Sequence, residues 1–148
     1  MKKVINSSSA EMTMEIGQKI VKVLPDGATI LLLGDLGAGK TTMVRGMAQA
    51  LNIKEVVQSP TFNIMKIYFK GFKPLIHIDA YRLKDVDQDI GLDEYIGYES
   101  GITVIEWPEY IEKLIPDNPL RISLHHLGDN NREIIVEGPE EIIKELSL

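Results

Sequence analysis

The stretch GDLGAGKTT, residues 34–42, sits between the apolar run ATILLL and the segment KTTMVRGMAQAL, whose Met43, Met47, Ala50 and Leu51 share one helical side. Gly34, Gly39, Lys40 and Thr41 satisfy the pattern G-x-x-x-x-G-K-[ST] in a strand–loop–helix setting. Such a loop has too few side chains to build core, so its backbone is the functional part. Glycines let successive N–H groups curl around an anion with no Cβ in the way. The helix starting near Lys40 adds its unpaired amides and the positive end of its dipole. Gly37, Ala38, Gly39, Lys40, Thr41 and Thr42 are therefore expected to cradle phosphates. Lys40 would reach the β- and γ-phosphates, and the Thr41 hydroxyl is a hard ligand suited to Mg²⁺. The chain contains neither an N-K-x-D guanine reader nor a D-x-x-G switch, which favours ATP over GTP.

The remaining segments fix the architecture. SSSAEMTMEIGQKIVKVL has helical spacing behind capping serines, and Pro25-Asp26-Gly27 ends it. TFNIMKIYF and PLIHID read as a hairpin, ITVIEW as a buried strand, and PEYIEKLI as a helix opening on proline. LRISLHHL and REIIVEG form a second strand pair around GDNN, and PEEIIKELSL a closing helix. Helices interleaved with strands and hairpins predict an α/β fold: one P-loop NTPase domain over residues 1–148, with a mixed sheet flanked by helices. The 148 residues suffice for one core. There is no run of 18 apolar residues, no apolar export signal and no cysteine, so the expectation is a cytoplasmic protein without membrane contact. With 22 acidic against 16 basic residues, unaided binding of nucleic acid is disfavoured.

A P-loop enzyme needs a carboxylate at the end of a neighbouring buried strand. Glu106, ending ITVIE, fits the metal side; Asp79, ending PLIHID, could orient the attacking water or assist the metal. Thr61, in SPTF, lies where switch threonines sense the γ-phosphate, although a threonine that simply starts a strand is commonplace. Trp107 follows Glu106 and could pack near the nucleotide, near a partner or in the core. His77 alternates with Ile76 and Ile78 and is expected to face outward. Arg45 and Arg82 are possible phosphate partners, Arg132 reads as solvent-facing, and the acidic stretch 85–99 reads as a solvated face.

GDLGAGKTT, SPTF, HIDAYRL, GLDEY and IEWPE, in this order and spacing, resemble the TsaE (YjeE) family, bacterial P-loop ATPases of tRNA threonylcarbamoyl-adenosine modification. The likeness runs from about Thr13 to Arg132. It implies bound ATP and Mg²⁺, with Thr41 and Glu106 at the metal positions and Asp79 required for hydrolysis. It also places Arg132 beside the nucleotide, against the solvent-facing reading, and brings the AEMT segment with Glu11 towards it. The implied partners are TsaD and TsaB, with tRNA reached only through them. The family member transfers no threonylcarbamoyl group itself; its ATP cycle resets the TsaB–TsaD complex between turnovers, on tRNAs reading codons that begin with A. With no evident arginine finger in the chain, hydrolysis is expected to be slow alone and faster in complex. A small-molecule kinase and a nucleotide-gated binder with little turnover are the alternatives.

Overall fold

β2 (Thr29–Gly34) is the axis of the molecule, and its neighbours explain its composition. In a computed structural model, which describes residues 1–35, 37–60, 63–84 and 90–146, it runs parallel to β5 (Ile102–Glu106) on one side and to β6 (Leu120–Gly128) on the other. β4 (Leu75–Asp79) pairs in parallel with β5, and β3 (Met65–Tyr68) closes that edge antiparallel to β4. On the far side β7 (Asn131–Glu137) and β1 (Lys2–Ser7) add antiparallel strands. The seven strands form one mixed sheet in the order β1-β7-β6-β2-β5-β4-β3. The predicted α/β architecture with a mixed sheet is the one observed.

Both faces of the central strands are covered, which is why they read as near-continuous apolar runs. Ile30, Leu32, Ile102 and Val104 point to the side carrying α1 (Ala10–Val23) and α2 (Lys40–Ala50). Leu31, Ile76, Ile78 and Ile105 point to the opposite side, beneath Leu83, Leu92, Ile96 and Ile111. Ser9 caps α1, its hydroxyl accepting from the Met12 amide at 3.1 Å. The two helices cross with backbones almost touching. A Cβ on Gly46 would lie 2.1 Å from the Met14 carbonyl oxygen, and one on Gly17 would lie 2.5 Å from that of Met43. Glycine at both positions lets α1 lean closely on α2, the helix that follows the phosphate loop. Among the described residues no helix is long and apolar enough to cross a membrane.

Three expectations change. β1 carried no strand signal because its pattern is that of an edge: only Ser7 is fully buried, and the lysines stay at the surface. The segment after Trp107 is a 3₁₀ stretch, Pro108–Leu114, rather than an α-helix; it has no side-chain cap, and Ile111 leaves helical geometry (φ −137°). β3 starts at Met65 because Ile64 holds φ +66° and its amide turns back to Pro60. Thr61 and Phe62 of SPTF, and residues 85–89 of the acidic stretch, lie outside the described residues.

Candidate functional site

The loop after β2 is shaped by its glycines. Gly34, Gly37 and Gly39 hold φ of +148°, +82° and +104°, values that side-chain-bearing residues rarely adopt. At Gly34 a Cβ would also meet the Leu124 carbonyl oxygen at 2.7 Å. The first intrahelical bond of α2 runs from the Met43 amide to the Gly39 oxygen at 3.0 Å, so the amides of Lys40, Thr41 and Thr42 precede the ladder. The N-cap residue, Gly39, has no side chain to cap them, and no acidic residue stands in the first turn. This helix end is electropositive and left open to an anion.

The register of the sheet sets carboxylates opposite the loop. Asp79 and Glu106 are paired residues at the ends of β4 and β5. Both are nearly fully buried, and strand alternation turns them to the α2 side. Glu106 Oε1 lies 3.5 Å from Lys40 Nζ, and its Oε2 lies 2.7 Å from His77 Nε2. Burial pushes the Glu106 carboxyl up, but the hydrogen bond and positive field from His77, with Lys40 adding to both, outweigh it and hold the group below the ordinary carboxylate value. It is therefore ionised at neutral pH despite its burial. Asp79 Oδ1 accepts from the Tyr81 amide at 3.0 Å, which aims the side chain along the strand end.

These groups line one cavity of about 600 Å³. Gly37, Gly39, Lys40 and Thr41 form one wall, with Asp79 and Glu106 across from them. Tyr81 and Trp107 add an aromatic flank, their ring centroids 5.0 Å apart, and Lys40 Nζ lies 5.3 Å from the Trp107 ring. Trp107 is half-buried at φ +57°, a conformation that turns the chain sharply after Glu106. It lines the cavity while also packing against the core on the Ile105 side of the sheet, its ring stacked on Tyr110 at 6.0 Å.

Arg132 is not solvent-facing. From the start of β7 its Nε donates to the Ala38 carbonyl at 2.9 Å and a terminal nitrogen to that of Gly37 at 3.3 Å. The C=O and N–H of one peptide point opposite ways. Holding the Ala38 carbonyl on the arginine side thus turns the Gly39 amide to the other. Thr42 lies in the first turn of α2 and Ala38 is buried beneath the loop. Glu11 is exposed on the first turn of α1 and does not line the cavity. From that helix it is Thr13 that approaches, its methyl 3.9 Å from where a Cβ on Gly39 would sit. Arg45 donates to the Val57 carbonyl and lines a separate groove; Arg82 is exposed.

His77 departs most from expectation. It is fully buried, because alternation in a strand covered on both faces exchanges one interior for another, not interior for solvent. The available signal was a lone imidazole in an otherwise apolar strand, two residues before a carboxylate. Ser59 and Tyr81 also line the cavity; they belong to SPTF and HIDAYRL, but neither was singled out as a site residue.

Among the described residues no three His, Asp or Glu side chains converge as a ready-made metal cage. The cavity instead offers hard oxygen donors, the Thr41 hydroxyl and the Glu106 and Asp79 carboxylates, beside an anion cradle. That donor set fits Mg²⁺, which takes one or two carboxylates and completes its shell with phosphate oxygens and water.

A family model, "Threonylcarbamoyl adenosine biosynthesis protein TsaE", matches residues 7–134. The chain belongs to the TsaE family. The TsaE of Bacillus subtilis strain 168, a tRNA threonylcarbamoyladenosine biosynthesis protein by name, is 43% identical over 84% of this chain and 78% of its own length. The TsaE of Treponema pallidum is 41% identical over 88% of this chain and 96% of its own. The crystal structure of B. subtilis YdiB superposes with a TM-score of 0.84 at 34% identity, covering 99% of this chain and 95% of that one. The recognised motifs thus belong to a fold shared along nearly the entire TsaE chain.

Proposed function

We propose that this TsaE binds ATP with Mg²⁺ in the cavity between the phosphate loop and the ends of β4 and β5, hydrolyses it slowly, and serves tRNA threonylcarbamoyladenosine biosynthesis. One observation carries the reading: the loop amides and Lys40 share a single cavity with two buried, facing carboxylates, Asp79 and Glu106. Burying two acids together in a strand-end pocket costs stability and has no packing rationale. A metal ion carried with the phosphates gives it one.

In this mechanism the amides of residues 37–42 hold the β- and γ-phosphate oxygens, and Lys40 exchanges its contact with Glu106 for the phosphates. Thr41 and Glu106 would hold the metal ion, whose role is to neutralise charge on the transferring phosphoryl group. Asp79 orients water against the γ-phosphorus or takes its proton. Arg132 keeps the loop carbonyls turned away from the phosphates. Since its donors are engaged with backbone carbonyls, it is a clasp rather than an arginine finger, which supports slow turnover by the isolated chain. By the family resemblance the partners are TsaB and TsaD, which contact tRNA, and the ATP cycle resets their complex in the cytoplasm.

The test is phosphate release and multi-turnover tRNA modification with and without TsaB–TsaD. Stimulated hydrolysis together with repeated turnover only in the presence of this chain is expected. Equal hydrolysis rates with and without the partners would overturn the reset role. Loss of repeated turnover on Asp79→Ala separates an ATPase from a nucleotide-gated binder, which would keep working.

A further inference from the structure

His77 is a fully buried polar side chain that the mechanism above leaves without a task. Its Nε2 lies 2.7 Å from Glu106 Oε2, while the other carboxylate oxygen faces Lys40 at 3.5 Å. Its Nδ1 is buried and has no hydrogen-bond partner among the described residues. A proton on Nδ1 alone would bury a donor with no acceptor and set the Nε2 lone pair against a carboxylate, both costly. The ring satisfies its surroundings with the proton on Nε2, donated to Glu106. A leucine would fill the same interior position among Leu75, Val104 and α2 without any desolvation cost, so packing does not account for an imidazole there.

We infer that His77 is a positioning residue: its Nε2–H anchors one oxygen of Glu106 and so fixes the rotamer that presents the other oxygen to the phosphate-loop cavity. A glutamate has three side-chain torsions, and tying one oxygen at strand level removes most of that freedom before any ligand arrives. Outer partners that orient a metal-ligating group in this way typically matter about 10–100-fold in metal affinity or activity. The consequence for Mg²⁺ rests on the ATP–Mg²⁺ reading above; the geometry does not.

Two measurements on the full chain test it. The first is nitrogen-15 NMR of the His77 ring without ligand, expected to show the proton on Nε2. A proton on Nδ1 alone, leaving Nε2 bare, overturns the inference, and this holds even if the chain proved not to bind ATP at all. The second compares His77→Leu with His77→Gln, whose amide can bring an N–H near the place of Nε2. The leucine variant is expected to raise the Mg²⁺ concentration for half-maximal ATP binding about tenfold, with glutamine within about threefold of the unsubstituted chain. ATP affinity in a chelator should change by less than about twofold, and the leucine effect should vanish in a Glu106→Gln background. An unchanged Mg²⁺ requirement, equal damage by leucine and glutamine, or a leucine effect that persists without Glu106 would each overturn the inference. If the leucine variant fails to fold, the glutamine variant and the ring tautomer decide. An unsubstituted chain with the proton on Nε2 but no Mg²⁺-dependent ATP binding would refute the functional reading and uphold the positioning one.

Discussion

β2 ends between two unlike flanks. On one side β5 and β4 are buried throughout and carry His77, Asp79 and Glu106 on the face turned to α2. On the other side β6 and β7 alternate between buried and exposed positions, and the residue they deliver to the loop is Arg132, bound to main-chain oxygens. The first flank places ionisable groups where solvation is poor, the setting in which sites of chemistry are found. The second places a cation where it shapes backbone and meets water. On the function proposed above, chemistry falls to the β4–β5 flank and loop geometry to the β6–β7 flank, with Lys40 between them.

The largest expected effect tests the chemical flank. Asp79→Asn should lower phosphate release by about 10²–10⁴-fold, the range for a positioned proton-transfer group, with ATP affinity within a few-fold of the original. An equal loss of affinity in calorimetry would break the division, because Asp79 would then be a binding residue. Next, Glu106→Gln should raise the Mg²⁺ concentration needed for ATP binding by about 10–100-fold. Its effect in a chelator should be small or favourable, since Lys40 is freed for phosphate.

On the other flank, Arg132→Ala removes charged donors from two loop carbonyls. A loss of about 1.5 kcal/mol, as for a hydrogen bond to a charged group, predicts ATP binding about tenfold weaker. Single-turnover hydrolysis of bound ATP should be unchanged. A selective fall in that rate would move Arg132 into the chemistry and erase the contrast between flanks. The smallest effect concerns acid stability. Because the folded-state pKa of Glu106 is lowered, its contribution is fully present above the ordinary carboxylate value and is lost as pH falls through the folded one. Thermal melts from neutral to acidic pH should therefore show a shallower acid limb for Glu106→Gln than for the unsubstituted chain.

How much of this was legible in the residues differs between the same two flanks. The strand–loop–helix unit, Asp79 and Glu106 were readable because glycine spacing, a lysine and strand-end acids carry local signals. The fate of His77 was not, since alternation reports burial only where one sheet face meets water. Arg132 was readable only through the family resemblance: its partners Gly37 and Ala38 are 95 and 94 residues away, and no local pattern encodes a contact at that separation. β1 was invisible for a related reason, because its register against β7 is a tertiary pairing of a polar edge. Glu11 was named with its segment, whereas the helix turns Thr13, one face away, towards the loop.

The central claim is that main-chain amides and Lys40 hold ATP beside carboxylates that recruit Mg²⁺. Titration calorimetry of the purified chain with ATP, with and without Mg²⁺, alongside Lys40→Ala, tests it most directly. The account predicts a saturable heat that Mg²⁺ strengthens and that Lys40→Ala abolishes. Absence of any binding heat, or binding that survives Lys40→Ala and ignores Mg²⁺, would contradict it.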